Sequence, residues 1–525
     1  MSTTVSPRRV LAGLLAAAVH GGFGASPASA RVLRVGTWKG RAGDYTGIQD
    51  AVDAAQAGDW ILVAPGDYHE RADYRAAGPA TEASAGLMIR TPNIHLRGLE
   101  RNTVIVDGTK PGSAPCDSWA AAQDLGPLDA GGHPVGRNGI EVLEVDGVSV
   151  ENLTVCNFLH VQGGGNEIWF NGGDGSGTVH MGRYLGQYLS ATSTYFDTDG
   201  NRGEYGIFAS NVSGPGLLAH TYASNMGDAS YYVGACPDCN TRVTDAHAEN
   251  SALGYSGTNA GGHLIIEKSE WDENKTGISA NSQNNDDAPS PQDGACPGAS
   301  GKSCTFFRRN YIHDNNNPNV PSAGTAAFGP VGTGMVIAGG RNDTIVSNRI
   351  VNQGSWGILI VPYPDGGTPP PVAHCEGGTQ NPGLCYYDSW GHQIARNHFE
   401  NVGFFGNATN GDLAEISVQH DPGTCWRKNV DASHVVSSSP DMLQETHAKC
   451  GAAYAGAAIG SPLTTQVLCA TQILGPCADQ PGMHYPRVLQ VQLKPLPKQT
   501  SMRKPCGGVP SNPWCPTAAA GRSVY

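Results

Sequence analysis

Two groups of side chains in this sequence have the residue types that acid–base chemistry needs. Asn281 begins a run of amides that ends in the adjacent carboxylates Asp286 and Asp287, and a second group contains Glu415 and His420. Two carboxylates, or one carboxylate with a basic partner, can cleave a glycosidic bond. We therefore take Asp286, Asp287, Glu415 and His420 as candidate catalytic residues. The alternative is that the adjacent aspartates are simply solvated in a polar loop.

A repeat of about two dozen residues has to position these groups. Four similar short segments have Ile207, Tyr231, Tyr255 and Ile278 as their third residues, so the successive steps are 24, 24 and 23 residues. Such a period is typical of a solenoid, in which each unit buries its apolar side against the next. The segments are short and are bounded by Gly, Asn or Ser, which favours strands over helices. The sequence therefore predicts stacked β-coils.

Side chains of each repeated strand should alternate between the core and the solvent. When Ile207 points inward, its neighbour Phe208 points outward, in one column with Tyr232. Aromatic rings in such a column can stack on sugar rings, or they can simply cover apolar loop surface. The residues that we expect to contact a sugar are Phe208, Tyr232, Tyr255 and Asn281.

The first turn after residue 44 has a distinctive sequence. Ile48, Val52 and Ala55 are spaced for one face of a helix, Trp60 begins an apolar strand, and Pro65 begins a turn. This segment resembles the first coil of right-handed parallel β-helix proteins of the pectin-lyase-like superfamily, which commonly has Ile-Gln, Ala-Val, Ala-Ala, Gly-Asp and Pro-Gly-x-Tyr in this order. The resemblance implies an all-β fold, a right-handed parallel β-helix over residues 31–430 with an N-terminal α-helical cap.

The resemblance extends to the fold and not to one enzyme family. Of the polygalacturonase motifs only Asp286-Asp287 is present, and the Asp-Pro-His-Asp motif of mannuronan epimerases and the pectin-esterase pattern are absent. Because a fold alone implies no activity, two hypotheses stay open. The protein binds an extracellular polysaccharide and cleaves it by lyase or hydrolase chemistry, or it is a non-catalytic cell-surface, adhesion or structural protein.

The amino terminus and the composition indicate an exported protein. Arg8 and Arg9 precede a short apolar run, and Ala28-Ser29-Ala30 is an A-x-A cleavage site, so residues 1–30 are predicted to be a signal peptide. No later stretch has the ~20 apolar residues of a membrane span. The net charge of −13 disfavours nucleic acid as a partner. We therefore expect a secreted, extracellular protein without a membrane span.

All 14 cysteines follow the predicted signal peptide, and an even number in an exported chain indicates disulfides. Residues 431–525 form a Cys- and Pro-rich C-terminal extension that we expect to cover the last coil. Close spacing predicts five disulfides, and weaker spacing arguments predict two more, Cys116–Cys156 and Cys425–Cys450. The five are Cys236–Cys239, Cys296–Cys304, Cys375–Cys385, Cys469–Cys477 and Cys506–Cys515.

One acidic turn has the composition of a calcium loop. Asp197, Asp199, Asn201 and Glu204 supply four oxygen-donor side chains within eight residues, which are the ligands that Ca²⁺ prefers. Its glycine spacing differs from that of an EF-hand, and acidic turns without a metal are common. Ca²⁺ is the one cofactor that the sequence suggests.

Overall fold

The computed structural model describes residues 30–72, 84–284, 305–366, 375–417, 423–433, 435–453, 456–472, 477 and 483–516. Within these residues the chain winds into coils whose strands pair in parallel with those of the next coil. Two long sheets result, one of 21 strands and one of 11 strands. The predicted parallel β-helix is therefore confirmed.

The 11-stranded sheet contains the four repeated segments found in the sequence. Its strands are Ser84–Ile89, Arg137–Leu143, Asn166–Asn171, Tyr205–Ser210, Ala229–Gly234, Leu253–Thr258, Thr276–Asn281, Thr333–Ala338, Trp356–Val361, Gly411–Glu415 and Ser438–Ser439.

The 21-stranded sheet forms the rest of the coil wall. Its strands are Val32–Val35, Trp60–Val63, Gly66–Tyr68, His95–Gly98, Val104–Asp107, Val148–Cys156, Tyr184–Thr192, Gly216–Ala219, Tyr222–Ser224, Thr241–Thr244, His247–Glu249, Leu264–Glu267, Glu270–Asp272, Thr305–Arg308, Tyr311–His313, Thr344–Val346, Arg349–Gln353, Gln393–Ala395, His398–Val402, Cys425–Arg427 and Val430–Asp431.

The remaining elements are short and lie outside the two long sheets. Antiparallel pairing joins Thr37–Trp38 to Arg41–Ala42, and joins Leu384–Tyr387 to both Tyr363–Asp365 and Thr379–Asn381. The helices are Ile48–Ala54, Leu443–Thr446 and Pro462–Thr471, with 3₁₀ turns at Ala120–Ala122 and Gly324–Phe328.

The core is a column of apolar side chains stacked in register along the helix axis. Ile207 lies opposite Tyr231, Tyr231 opposite Tyr255, and Tyr255 opposite Ile278, and all four side chains are buried. No single coil can bury these side chains by itself, so each coil depends on its neighbours for stability. The inward position predicted for Ile207 and Ile278 is confirmed.

Helix Ile48–Ala54 forms where the spacing of apolar residues predicts it. Ile48 and Val52 are buried, and the backbone N–H groups of Ile48 and Gln49 donate to the Glu70 carboxylate. A carboxylate at a helix N-terminus satisfies free N–H groups and interacts favourably with the helix dipole. That this helix caps the open end of the β-helix stays a prediction.

Buried asparagines form a hydrogen-bonded ladder at one corner of the coils. The side-chain amides of Asn310, Asn348 and Asn397 each donate to the Oδ1 atom of the next asparagine over 3.0 Å, and the ladder ends at Asn429. The left-handed residue of each corner is the one before the asparagine, such as Ser347 with φ 57°. The asparagines therefore satisfy buried backbone groups and do not themselves adopt the unusual conformation.

Replacing Asn348 by alanine should destabilise the fold by at least about 2 kcal/mol, because it leaves several buried groups without partners. These groups are the amide N–H and side-chain amide of Asn310 and the carbonyl of Phe307. The measurement is urea unfolding followed by circular dichroism. Gln162→Ala, which removes an exposed amide in a loop, is the control and should stay within about 0.5 kcal/mol. Equal midpoints for both variants would show that the ladder contributes no stability.

Six disulfides join the described cysteines, and each was predicted from the sequence. The spacing Cys-Pro-Asp-Cys forms a disulfide and leaves no thiolate pair for zinc or redox exchange. The predicted Cys296–Cys304 pair lies outside the described residues and stays a prediction. The disulfides are Cys116–Cys156, Cys236–Cys239, Cys375–Cys385, Cys425–Cys450, Cys469–Cys477 and Cys506–Cys515.

The C-terminal extension contacts both the outer side of the 11-stranded sheet and the corners of the coils. Helix Pro462–Thr471 packs Leu463 and Ala470 on the outer side of the 11-stranded sheet, against Ala414 and Ile416. Residues 483–516, which we call the C-terminal strap, then run back along the coils to the first ones. The boundary at residue 430 stays a prediction, and parallel strand Ser438–Ser439 lies beyond it.

Asparagine side chains hold the strap along its length. Asn225 donates to the carbonyl of Lys494 and accepts from its N–H, and Asn102 does the same with Gln499. Near its end, the indole of Trp514 donates to the carbonyl of Arg41 over 3.1 Å. The strap therefore pairs its backbone with side chains of the coil corners and not with a strand.

The predicted signal peptide falls almost entirely on residues 1–29, which lie outside the described residues. Among the described residues, no helix is both long and apolar enough to cross a bilayer.

Candidate ligand-binding groove

The outer face of the 11-stranded sheet presents the predicted column of side chains. Strand pairing places Phe208 next to Tyr232, Tyr232 next to Ser256, and Ser256 next to Ser279. Because the neighbours of these residues along each strand point into the core, the column faces outward. Trp169 lies one coil earlier in the same column.

Aromatic rings are stacked at the N-terminal end of this column. The rings of Trp169 and Phe208 are nearly parallel, at 6° and with centroids 5.1 Å apart. Tyr205 stacks on Phe208 at 4.6 Å, and Tyr232 meets Phe208 edge-on at 4.7 Å. Each ring of this cluster therefore contacts at least one other ring. The cluster offers the flat apolar surface that a sugar ring or another flat ligand can cover.

A groove of about 900 Å³ lies over this face, which we call the outer groove. Its floor is the outward column of the sheet. Its walls come from the 3₁₀ turn Gly324–Phe328, the antiparallel strands around Tyr363, and helix Pro462–Thr471. Its lining includes Tyr205, Phe208, Asp228, Tyr232, Ser256, Ser279, Asn281, Tyr363 and Asp365.

The charged groups in the lining of the outer groove are acidic. Asp228 and Asp365 supply carboxyl groups, and no Lys, Arg or His occurs among the described residues that line the outer groove. Serine, threonine, asparagine and tyrosine side chains supply hydroxyl and amide groups between apolar patches. This lining is acidic and rich in hydrogen-bonding groups.

Asp228 has the most perturbed carboxyl group of the outer groove. It directly precedes strand Ala229–Gly234, it is 7% exposed, and its carboxyl accepts a hydrogen bond from the hydroxyl of Tyr205. Burial, reinforced by the nearby carboxylate of Glu204, raises the pKa of Asp228 to about 8. Asp228 is therefore protonated at neutral pH and can donate a proton.

Glu204 occupies the equivalent position one coil earlier. The backbone N–H of Asp228 donates to the carbonyl of Glu204 over 3.0 Å, so the two residues are stacked. Glu204 also forms an ion pair with Arg202, with Nε and Oε2 2.7 Å apart. Arg202 therefore pairs with Glu204, and its effect on the pKa of Asp228 is smaller than the opposing effects of burial and of Glu204.

Tyr363 lines the outer groove and is influenced by both of its carboxyl groups. Burial raises its pKa to about 12, and both Asp365 and Asp228 add to this shift. Its hydroxyl accepts a hydrogen bond from the side-chain amide of Gln283 over 3.0 Å. Both carboxyl groups therefore lie near enough to this hydroxyl to raise its pKa.

The other two residues that were predicted to contact a sugar, Asn281 and Tyr255, lie in surroundings that differ from each other. Asn281 lines the outer groove and accepts from the hydroxyl of Thr258 over 2.9 Å. Tyr255 is fully buried in the core, where its hydroxyl donates to the carbonyl of Val233. The prediction for Tyr255 is wrong because this residue occupies the inward position of its strand. Contact of the other three residues with a sugar stays a prediction.

The predicted catalytic residues are not brought together within the described residues. Glu415 lies on the inner side of the sheet, 1% exposed, where its carboxylate accepts from the indole of Trp426 over 3.0 Å. Burial raises its pKa to about 7, but Ala414 and Ile416 separate it from the outer face. Direct catalysis by Glu415 in the groove is therefore wrong. Asp286, Asp287 and His420 lie outside the described residues, and their roles stay predictions.

The predicted calcium loop is a hydrogen-bonded acidic turn. The carboxylate of Asp197 accepts from the backbone N–H groups of Asp199 and Asn201 and from the hydroxyl of Tyr195. Glu204 pairs with Arg202. The carboxylates of Asp197 and Glu204 are therefore engaged within their own loop, and the Ca²⁺ site stays a prediction.

Sequence reasoning missed Asp228, although the repeat contains a signal for it. When the repeated segments are aligned at their spacing of about 24 residues, Glu204 and Asp228 fall at the same place, directly before a strand. Acidic side chains at one edge of the outward column were therefore detectable. The burial that perturbs Asp228 comes from segments distant in sequence and could not be read from it.

Strand order and register identify the chain as a parallel β-helix protein. No protein-family model matches the chain, and no curated protein sequence matches it. Its fold is similar to the A-module of mannuronan C-5 epimerase AlgE6 from Azotobacter vinelandii, with 13% identity over 74% of this chain and 91% of that one, at a TM-score of 0.37.

Two lyase structures are similar to the same degree. Pectate lyase Pel9A matches with 12% identity over 78% of this chain and 80% of its own, at a TM-score of 0.37. A mannuronic acid specific polysaccharide family 6 lyase from human gut microbiota matches with 14% identity over 76% and 79%, also at a TM-score of 0.37. These similarities concern the fold alone.

Proposed function

We propose that this chain is a secreted glycoside hydrolase that binds an uncharged glycan in the outer groove and uses Asp228 as its general acid. One observation carries this proposal, namely the buried, protonated carboxyl group of Asp228 that lines a groove with stacked aromatic rings. A perturbed carboxyl group in a cleft is a frequent mark of a catalytic site.

The charge of the outer groove favours an uncharged ligand over a uronate polymer. Asp228 and Asp365 line the groove, and the net charge of the chain is −13. A polymer with one carboxylate on each sugar would be repelled by this field. A neutral sugar chain can instead stack on Phe208 and Tyr232 and hydrogen-bond to the serine and asparagine side chains of the floor.

The two carboxyl groups supply the parts of a hydrolytic mechanism. Asp228 donates its proton to the glycosidic oxygen as the bond from that oxygen to the anomeric carbon breaks. Asp365 accepts a proton from water, whose oxygen forms the new bond to the anomeric carbon. The proton that leaves the water balances the one that Asp228 gives up, so the two groups must exchange a proton before the next cycle.

Export is supported by the disulfides. The structure contains six disulfides among its described residues, and such bonds persist in oxidising compartments. Together with the predicted signal peptide, they favour an extracellular site of action, where a polysaccharide is available.

The second candidate function is a non-catalytic glycan-binding protein. The observation that favours it is the small exposed fraction of Asp228, 7%, which limits access of a glycosidic oxygen to the acid. Retention on a glycan without turnover would support this candidate and overturn the proposed hydrolase.

The test is a panel of neutral polysaccharides, with polygalacturonate and alginate for comparison. Affinity electrophoresis measures retention, and released reducing ends measure hydrolysis. We expect retention and new reducing ends with at least one neutral polymer, and neither with the two polyuronates. A product absorbing as an unsaturated uronate would instead indicate a lyase and contradict the proposal.

Removing one ring of the aromatic cluster should weaken glycan binding. Phe208→Ala and Tyr232→Ala are each expected to lower the affinity about five- to tenfold, since a lost stacking contact is worth roughly 1 kcal/mol. Trp119→Ala is the control, because this ring is 75% exposed in a loop and does not line the groove. Unchanged retention of both groove variants would show that the aromatic cluster does not bind the glycan.

A further inference from the structure

A second group of functional side chains lies on the outer face of the 21-stranded sheet. Three successive coils contribute strands His247–Glu249, Glu270–Asp272 and Tyr311–His313, which pair in register. His247 lies next to Glu270, and Asp272 lies next to His313. The first and third residues of each short strand point outward, so these side chains form two adjacent columns.

Histidine and carboxylate groups of different coils are in direct contact here. Nε2 of His247 lies 2.7 Å from Oδ1 of Asp272, and Nε2 of His313 lies 3.1 Å from Oε1 of Glu270. One donor atom each from Glu270, Asp272 and His313 lie within 4.8 Å of one another, and so do those from His247, Glu249 and Asp272. Asp272 belongs to both groups and lies at their centre.

The surroundings of this cluster attract cations. The ammonium group of Lys494, on the C-terminal strap, contacts Glu249 at 2.5 Å and also pairs with Glu273. This cation neutralises the Glu249 side of the cluster. Glu270 and Asp272 lie on the other side with the two imidazoles, where the side chain of Glu270 is 45% exposed and leaves a path from solvent.

We propose that Glu270, Asp272 and His313, together with His247, bind a divalent transition-metal ion of the Zn²⁺ type. The donors are two imidazole nitrogens and carboxylate oxygens, a set that suits Zn²⁺, whereas Ca²⁺ prefers oxygen ligands alone. Tetrahedral Zn²⁺ with bonds of about 2.0–2.1 Å spaces its donors about 3.4 Å apart. The His247–Asp272 and His313–Glu270 contacts of 2.7 and 3.1 Å have to open to this spacing. The two groups, each with its donor atoms within 4.8 Å of one another, have to close towards Asp272 by side-chain rotation.

An ion at this position would join three coils. Its ligands come from three strands that pair one after another, so the ion adds a link across three coils. Because it binds the folded coils and not the separated ligands of the unfolded chain, it should stabilise the fold. The cluster belongs to the other long sheet and not to the lining of the outer groove, and the proposal does not rest on the hydrolase function.

The experiment is calorimetric titration of the untagged mature protein with Zn²⁺ in a non-coordinating buffer above neutral pH, because a metal ion binds the deprotonated imidazole. We expect one saturable site that excess Ca²⁺ does not displace, and a rise in the unfolding temperature on addition of Zn²⁺. His313→Gln and His247→Gln should each weaken binding at least about tenfold. Circular dichroism establishes that each variant is folded.

The matched control is His263→Gln. His263 contacts Asp238 with 2.9 Å between Nδ1 and Oδ1, which is a single histidine–carboxylate pair without a second imidazole. Its replacement should leave the Zn²⁺ affinity unchanged. Absence of saturable binding, or equal affinity of the parent protein and both folded cluster variants, would overturn the proposal.

Discussion

Asp228→Asn is expected to reduce glycan hydrolysis about 10²- to 10⁴-fold while glycan retention stays nearly unchanged. Loss of a general acid typically removes this much of the rate, and asparagine keeps the size of the side chain and can still accept from Tyr205. The measurement is the turnover number on the neutral polymer found in the panel, with retention measured in parallel. Asp199→Asn, an exposed aspartate in an acidic turn, is the control and should retain full activity.

The pH dependence gives a second readout of the same group. The acid has to be protonated to act, so hydrolysis should decline as the pH rises through about 8, the pKa that burial gives to Asp228. A profile without this decline, or full turnover by Asp228→Asn, would exclude Asp228 as the acid. A variant that also loses retention would show that Asp228 binds the ligand and does not act as the acid alone.

The Asp228→Asn replacement should raise the stability of the fold at high pH while it lowers the activity. The pKa of Asp228 in the folded state lies above that of an unfolded aspartate, so the protonated carboxyl favours folding at low pH, and this contribution is lost as the pH rises through about 8. Asparagine does not ionise. Asp228→Asn should therefore be more stable than the parent protein above this pH, as judged by thermal unfolding.

Trp271→Ala should produce the largest loss of stability, about 3–5 kcal/mol. Trp271 is fully buried, and its ring meets those of Tyr231 and Tyr255 edge-on at 5.6 and 6.0 Å. Removing it leaves a cavity that three stacked coils cannot fill without moving. Urea unfolding followed by circular dichroism measures the change.

A more conservative variant separates packing from hydrogen bonding at this position. The indole N–H of Trp271 has no hydrogen-bond partner among the described residues, so Trp271→Phe removes volume without breaking a hydrogen bond. It should destabilise the fold less than Trp271→Ala does. Equal losses for the two variants would contradict the cavity explanation, and Trp119→Ala, in an exposed loop, should stay within about 0.5 kcal/mol.

Much of the fold could be predicted because its rules are local and repeated. The period of about 24 residues, the alternation within each strand and the segment around Ile48 together indicate stacked parallel coils. The same alternation places Phe208 and Tyr232 in one outward column, and the register confirms it. Tyr255 was misassigned because the repeat puts it in the inward position of Ile207, where an aromatic residue fills the core.

The functional residues were predicted less well, because their properties depend on contacts between distant segments. Glu415 has the right chemistry, but it faces Trp426 in the core. The acidic turn at Asp197 has the composition of a calcium loop, yet its carboxylate is used by its own backbone. Composition indicates which groups are present and does not indicate which of them are already engaged.

By itself the sequence determined that strands stack in parallel coils, which side of each strand faces outward, and which close cysteines pair, since these depend on spacing along the chain. The tertiary structure alone decided which carboxyl group is buried in the outer groove and which histidines meet carboxylates on the other sheet. The turn Gly324–Phe328 and the strand Tyr363–Asp365, far from Asp228 in the sequence, help to enclose the groove that it lines. A pKa shift arises from burial and neighbouring charge. Both are present only in the folded chain, where the coils are stacked on one another.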